Sequence, residues 1–390
     1  MQQDFDQLVS RDHSNSLKYD GRQAMFGQDD VIPLWVADMD FASPPAVSDA
    51  LLQRASHPIY GYSIFPENTY QALIDWLERR HGWRVERDWL LMCPGVVPSL
   101  NAAVMAFTQP TDAVIVQPPV YFPFFSAVTD SGRSLIQNPL HFENNQYHID
   151  FEHLEACAAR AKMLLLCSPH NPVGRVWRKD ELEQLLVIAE KYQLIVFADE
   201  IHADLVYAPA KHQVLEPLSQ HSKNIITAVA PSKTFNIPGL NLSALIIPDA
   251  TQRQALAKVF ERMHVSAANP FSMVAFEAAY QHGDVWLDAL LGYLQQTRDF
   301  VIAYVSEHLP RVHAIVPEGT YLIWLDCREL GLDDAALKQF FIQQAGVGLS
   351  PGKLFGEAGS GFMRMNIAAP RSLITTALQR MAVALQSFTK

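Results

Sequence analysis

The chain has no excess of positive charge, no long apolar run and no cysteine or histidine pattern spaced for a metal, and each absence removes a class of function. Lysine and arginine number 30 against 41 aspartates and glutamates, giving a formal charge of −11. No basic cluster of the kind that a phosphate backbone requires interrupts this balance, so nucleic acid is not an expected partner. No stretch approaches the roughly 18 consecutive apolar residues of a membrane span. The opening MQQDFDQLVSRDHS lacks the basic and apolar regions of a secretory leader. No membrane association is expected, and the expected location is the cytoplasm. The four cysteines, Cys93, Cys157, Cys167 and Cys327, include no CxxC pair, which fits reduced, mostly buried thiols rather than a disulfide framework or zinc site. None of the 14 histidines stands in HExxH or another ligand-spaced pair, so no metal is expected. Internal repeats and low-complexity tracts are also missing.

What remains is an ordinary globular composition on a long chain. With 390 residues, 49% of them apolar and 18% charged, the chain can offset its ordering entropy by burial, and at about 150 residues per domain it allows two domains. Between about 90 and 250, short β-rich apolar runs alternate with amphipathic stretches: AVIVQ (113–117), MLLLC (163–167), LIVFA (194–198), NIITAVA (224–230) and LSALII (242–247). Several are too continuously apolar for a half-wet strand and read as strands covered on both faces. Between the second and third, DELEQLLVIAEKY sets Leu182, Leu185, Leu186 and Ala189 on one helical face, with Asp180 and Glu183 in capping-box positions. Such alternation predicts a mostly parallel α/β sheet whose ligands sit beyond the carboxyl ends of the strands. The last hundred residues, with a long helix from about 284 to 308 and then AIVPEGTYLIWLD and FMRMNIAAPR, read as a separate, smaller α+β domain. The expected division is a large domain over 46–285 and a small one over 286–390. The segment 1–45 shows no helix of its own and is expected to pack with the small domain.

The residues that carry chemistry follow the predicted strands. Lys233, in APSKTFNIPG after the strand at 224–230, stands in an apolar neighbourhood. Desolvation there favours the neutral amine that Schiff-base chemistry needs, although most lone lysines are surface charges. Asp199, with Glu200 and His202, follows the strand at 194–198. These carboxylates fit a helix N-cap cluster as well as a partner for a protonated pyridine nitrogen. Asn171 in CSPHNPVGRVW, close to Pro169 and Pro172, is an aimed amide in a stretch whose prolines and glycine turn chemistry alone explains. Gly95 and Pro98 open a helix in CPGVVPSLNAAVMAF, so the N–H groups of Val96 and Val97 point out of a helix N-terminus, an end that suits phosphate. Tyr121 in QPPVYFPFF is an aromatic plate or a core residue.

Together GVV before a helix, PVY, SPHNPVG, ADEIH and SKTFN resemble the pyridoxal-phosphate (PLP) enzymes of the aspartate-aminotransferase fold, fold type I. ADMDFASPP, YGYS, DEIHADLV, SKTFNIPGL and GFMRMNIAAPR look like the MalY/PatB branch of cystathionine and cysteine-conjugate β-lyases within it. The resemblance spans nearly the whole chain and implies a large domain built on a mostly parallel seven-stranded sheet, a smaller α+β domain, and a homodimer with pyridoxal 5′-phosphate. It makes Lys233 the Schiff-base lysine and Asp199 the partner of the pyridinium nitrogen. Asn171 would meet the ring oxygen, Tyr121 would stack on the ring, and Val96, Val97 and the Ser232 hydroxyl would hold the phosphate. Tyr62 would reach that phosphate from the partner subunit, and Arg364 would clamp the substrate carboxylate with a bidentate fork.

The pattern also departs from the aminotransferases. His202 stands where many have a tyrosine, Asn241 where many have a phosphate-binding arginine, and Ala230 where some relatives have a serine. DEIH is usual in the lyase branch, so the resemblance implies a C–S β-lyase acting on cystathionine or related thioethers to give a thiol, pyruvate and ammonia. An aminotransferase, and a cofactor-binding regulatory protein with little turnover, remain as alternatives, because fold and cofactor do not choose between them.

Overall fold

The strands predicted from apolar runs assemble into one sheet in a computed structural model that describes residues 4–219 and 223–388. Seven strands form it: β1 (Leu90–Cys93), β2 (Ala113–Val116), β3 (Ser134–Gln137), β4 (Met163–Cys167), β5 (Ile195–Asp199), β6 (Ile225–Val229) and β7 (Ser243–Ile246). Their spatial order is β1-β7-β6-β5-β4-β2-β3. All neighbours are parallel except around β7, which runs antiparallel to both β1 and β6. Every residue of β2, β4, β6 and β7 is buried, as expected for strands covered on both faces. Register sets the site: Cys167 lies opposite Asp199, and Asp199 opposite Ala228, so three chains leave the same edge of the sheet side by side.

Helices cover both faces. The helix Val96–Phe107 directs Leu100, Ala103 and Val104 into the sheet, while Lys179–Lys191 buries the predicted stripe Leu182, Leu185, Leu186 and Ala189 on the other side. The capping of the latter helix differs from expectation. Arg178 is the N-cap, and Glu181 at the third helical position accepts its backbone N–H at 2.8 Å. Asp180 lies outside on the surface, where Arg178 holds it in an ion pair. The N-terminus shifts because Glu181 is drawn inward by Arg175, whose buried Nη2 donates to both of its carboxylate oxygens at 2.8 and 2.9 Å, which outweighs the pattern read from spacing.

Beyond the helix Asp284–His308 lies a second, antiparallel sheet of His313–Ile315, Leu322–Asp326, Phe362–Asn366 and Ser350–Pro351 in that order. The N-terminal segment joins this part of the molecule: Ile32–Pro33 pairs in parallel with Val347–Gly348, and Asn366 N donates to Leu34 O at 2.9 Å. It also touches the main sheet's loops, since the Asn236 side chain bonds the backbone of Met39 and Phe41. Contrary to the sequence reading, this segment contains two short helices, Leu17–Asp20 and Arg22–Phe26. Each is about one turn long, too short for a periodic apolar face. No helix among the described residues is long and apolar enough to cross a membrane.

Candidate active site

A cavity of about 640 Å³ opens where β4, β5 and β6 end, between the main sheet and the N-terminal and C-terminal segments. The singled-out residues Lys233, Asp199, Asn171, Tyr121, His202 and Ser232 all line it. So do Val96, Val97 and Arg364. Tyr62 does not. It stands fully exposed in the loop between the helices Pro45–Ser56 and Glu67–His81.

Lys233 sits in the single turn Pro231–Thr234 that follows β6. Its accessible surface faces the cavity, and the surrounding protein pushes the amine down to about 8, chiefly by desolvation and then by the charge of Arg364. The amine donates to Ala37 O at 2.7 Å, and Tyr321 donates its hydroxyl to the same carbonyl at 2.9 Å. Asp199 ends β5 inside the protein, where burial pushes its carboxyl up to about 7 against the opposing influence of the Ile201 N–H and Lys233. A nearby cation fixed in the cavity would restore its charge. No helix follows β5, so Asp199 and Glu200 are not a capping cluster; Glu200 is instead buried with His212 at 2.8 Å and the N–H of Leu215 at 2.9 Å. His202 is neutral, its pKa pushed down to about 3 by burial, and its Nδ1 has no partner among the described residues.

The opposite wall is cationic. Arg364, at the centre of the strand Phe362–Asn366, is buried, and burial lowers its pKa to about 10. Its Nη2 donates to Trp35 O at 2.7 Å and to Ser350 Oγ at 3.3 Å, and Nη1 donates to Asn171 Oδ1 at 3.1 Å. Among the described residues its Nε has no partner and no carboxylate pairs with it. A buried guanidinium lacking an acid is costly in isolation, so the arrangement suits an anionic ligand. Arg371 of the same segment instead donates to Thr297 Oγ1 at 2.9 Å and lies outside the cavity lining.

A third corner suits an anion of a different kind. Gly95 has φ +117, a conformation that L side chains rarely adopt, and it turns the chain from β1 into the helix Val96–Phe107. The first N–H groups of that helix, those of Val96 and Val97, have no intrahelical acceptor. Ser232 and Asn241 line the same cavity, and Ala230 adds no hydroxyl here. Tyr121 lies half-buried between these corners, fixed by its N–H to Asn171 O at 3.1 Å.

Several contributors escaped the sequence reading. The carbonyls of Trp35 and Ala37 receive Arg364 and Lys233, and a main-chain acceptor has no residue-type signature. Tyr321 and Ser350 come from a part of the chain whose strands gave no reason to single them out.

Comparison with known proteins agrees with this geometry. Residues 29–381 match the aminotransferase class I and II family. The chain is 41% identical over 384 residues to cystathionine beta-lyase PatB of Bacillus subtilis, covering 98% of this chain and 99% of the relative. It is 33% identical over 373 residues to protein MalY of Escherichia coli, covering 95% of each. Among solved structures, cystalysin from Treponema denticola, which contains a pyridoxal 5′-phosphate cofactor, superposes with a TM-score of 0.97 at 36% identity over the whole of both chains. A match over almost the full length, with a cavity built at the strand ends, shows that this chain belongs to the aminotransferase class I and II family, in the branch that holds PatB and MalY.

Proposed function

We propose that this protein is a pyridoxal-phosphate-dependent carbon–sulfur β-lyase, a cytoplasmic homodimer that cleaves cysteine thioethers to a thiol, pyruvate and ammonia. The observation that carries the reading is the buried guanidinium of Arg364, which has no acid partner among the described residues and shares a cavity with an amine of lowered pKa. An amino-acid substrate supplies the missing carboxylate, and the paired N–H groups of arginine match it.

The residues present fit the cofactor. Lys233 offers an amine that deprotonates near neutrality, and Asp199 offers a buried carboxyl that a pyridinium nitrogen would ionise. The N–H groups of Val96 and Val97 with the Ser232 hydroxyl suit a phosphate. Tyr121 would lie against the ring and Asn171 would meet its oxygen, with neutral His202 close by. When bound, pyridoxal 5′-phosphate supplies an electron sink for the carbanion at the substrate Cα. Asp199 would keep the ring nitrogen protonated, Arg364 would orient the substrate, and Lys233 would take the Cα proton. The Cβ–S bond then breaks with its electron pair leaving on sulfur as a thiolate, and water converts the released aminoacrylate to pyruvate and ammonia.

The partner-subunit role of Tyr62 is part of this proposal. Its full exposure among the exposed apolar residues Leu52, Ile59, Tyr60 and Ile64 suits a surface covered by a second copy.

Incubation of the PLP-loaded protein with a panel of cysteine thioethers, without any 2-oxo acid, is the test. Pyruvate formed in proportion to thiol supports the lyase. Turnover only when a 2-oxo acid is added makes the protein an aminotransferase, and bound cofactor without turnover of any amino acid makes it a regulatory binder.

A further inference from the structure

The motif ADMDF, residues 37–41, is part of the pattern that resembles the lyase branch, yet no step of the proposed reaction uses its two carboxylates. Residues 35–40 lie outside any helix or strand, and side chains take over the bonding that a sheet would give their carbonyls. Trp35 O accepts from Arg364 Nη2 and Val36 O from Asn366 Nδ2 at 2.6 Å. Ala37 O accepts from Lys233 and Tyr321. Asp38 O accepts from the same Asn366 nitrogen at 2.7 Å and from Lys18 Nζ at 3.3 Å. Met39 O accepts from Asn236 Nδ2 at 3.0 Å and Arg11 Nη1 at 3.2 Å. Each carbonyl from Trp35 to Met39 thus has a side-chain donor, and the segment is a strap whose shape is set by what grips it.

The second grip is ionic. Lys18, in the helix Leu17–Asp20, is fully buried, and its Nζ stands 2.8 Å from Asp40 Oδ2 and 3.7 Å from Asp38 Oδ1. Arg11 meets the same two acids, donating Nη1 to Asp40 Oδ1 at 2.8 Å and Nη2 to Asp38 Oδ2 at 2.7 Å. Each cation therefore reaches both carboxylates, and the four charges balance. A lysine without exposure is rare, and a buried ion pair adds little net stability over apolar side chains of similar volume. What the quartet supplies is geometry, because buried charges that satisfy one another in one arrangement resist a shift of the backbone that carries them. That backbone leads directly to Ala37, the acceptor of the Lys233 amine. Asn236, three residues after Lys233, ties the lysine's own turn to the same strap through Met39 and Phe41. Arg364 depends on the strap less, since Ser350 and Asn171 hold it as well.

We propose that Arg11, Lys18, Asp38 and Asp40 are positioning residues for Lys233: their ionic quartet fixes residues 37–40, and with them the Ala37 carbonyl that restrains the lysine amine whenever that amine is free. A lysine side chain has many rotamers, whereas a group that takes a proton must work from within hydrogen-bond reach of it. The fixed acceptor narrows the choice beforehand. Within the lyase reading, on which this inference rests, the amine is free once the substrate's own amine has displaced it. The quartet should therefore govern proton removal at the substrate Cα and leave attachment of the cofactor alone.

The test is Lys18→Met in the PLP-loaded protein, which keeps a long side chain and removes its charge, with every measurement made well below the variant's Tm. Hydrogen–deuterium exchange of peptides spanning 35–41 should quicken, because the Met39 N–H is held by Asn236 Oδ1 and the Asp40 N–H by Ala368 O. Cofactor content and its visible spectrum should match wild type. Release of deuterium from Cα-deuterated S-alkylcysteine in a single turnover should slow by at least about tenfold, since misplacing a reacting group by about 1 Å can cost about a hundredfold. The steady-state KM should stay within about twofold, because the substrate clamp keeps its other supports. If the uncompensated Asp40 prevents folding, Lys18→Met/Asp40→Asn removes one charge of each sign, leaves Arg11 paired with Asp38, and carries the same expectations. Faster exchange of the strap with unchanged deuterium release overturns the proposal and leaves the quartet a structural device. Unchanged exchange in a folded variant overturns it as well, and so does a raised KM with normal deuterium release, which would place the quartet behind Arg364. Deuterium release without pyruvate in the wild type would replace the lyase reading by transamination while the slowed release in the variant still supports the quartet, so the two failures are distinguishable.

Discussion

Replacing Arg364 tests the substrate clamp without dismantling the rest of the site. In the protein its guanidinium rests on neutral acceptors, Trp35 O, Ser350 Oγ and Asn171 Oδ1, with Nε unpartnered. Arg364→Ala removes both members of a paired contact to the substrate carboxylate, and hydrogen bonds to charged groups are worth about 1.5–3 kcal/mol each. Such losses are not additive, so we take about 3 kcal/mol for the pair, which at 1.4 kcal/mol per decade is roughly a hundredfold in kcat/KM. Arg364→Lys keeps the charge but not the fork and should regain about tenfold of that. The fold should tolerate Arg364→Ala, because the lost contact to Trp35 is offset by removing a buried charge that has no acid partner among the described residues. Steady-state pyruvate release from S-alkylcysteines gives kcat/KM, and the visible spectrum with bound-phosphate analysis gives cofactor content, which should match wild type. A kcat/KM for Arg364→Ala within about twofold of wild type at equal cofactor content would refute the clamp.

Lys233→Ala should still bind the cofactor through its other contacts but form no covalent bond to it. A protein–cofactor linkage trapped by borohydride in that variant would show that another amine serves. Asp199→Asn should retain cofactor while Cα deprotonation, followed by deuterium exchange into substrate, slows by orders of magnitude; His202→Ala should cost far less, and the reverse ranking would exchange their roles. Tyr62→Phe should weaken cofactor retention, and mixing it with Lys233→Ala subunits should restore activity through hybrids that hold one intact site; no gain after verified subunit exchange would assign Tyr62 to its own chain. The buried pair of His81 and Asp204, 2.8 Å apart, gives a pH signature. His81 is raised by its bond to Asp204 despite burial, so its contribution is complete below its unfolded value near 6.5 and is lost as pH rises through the folded one. Asp204 is lowered by His81, Thr234 and Trp76, so its contribution is complete above about 3.8 and is lost on acidification through the depressed value. The Tm penalty of Asp204→Asn should therefore be larger at pH 6 than at pH 9, and a penalty independent of pH would mean that the pair is not ionised.

Much of this protein is legible in one dimension because much of it is local. The strands β4 and β6 are continuous apolar runs, and the chemistry-bearing residues Asn171, Asp199 and Lys233 each stand within four residues of a strand end, so strand, turn and functional group are written together. The parallel order of those strands then brings the three to one edge. Capping was less legible, since the N-terminus of the helix Lys179–Lys191 is decided by a buried bond from Arg175 to Glu181 that no spacing rule contains.

By itself, the order of residues determined that a parallel sheet would form and that a lysine and a carboxylate would share its ligand edge, because apolar periodicity and turn chemistry act over a few residues. The tertiary structure alone decided what faces them. It brought Arg364 from 193 residues beyond Asn171 to within 3.1 Å of its side chain and, among the described residues, set no acid against that guanidinium. It turned the carbonyls of Trp35 and Ala37 toward the site. Such contacts depend on how distant segments pack against each other, and neither the charge state of a buried group nor the polarity of a cavity exists until that packing has excluded water.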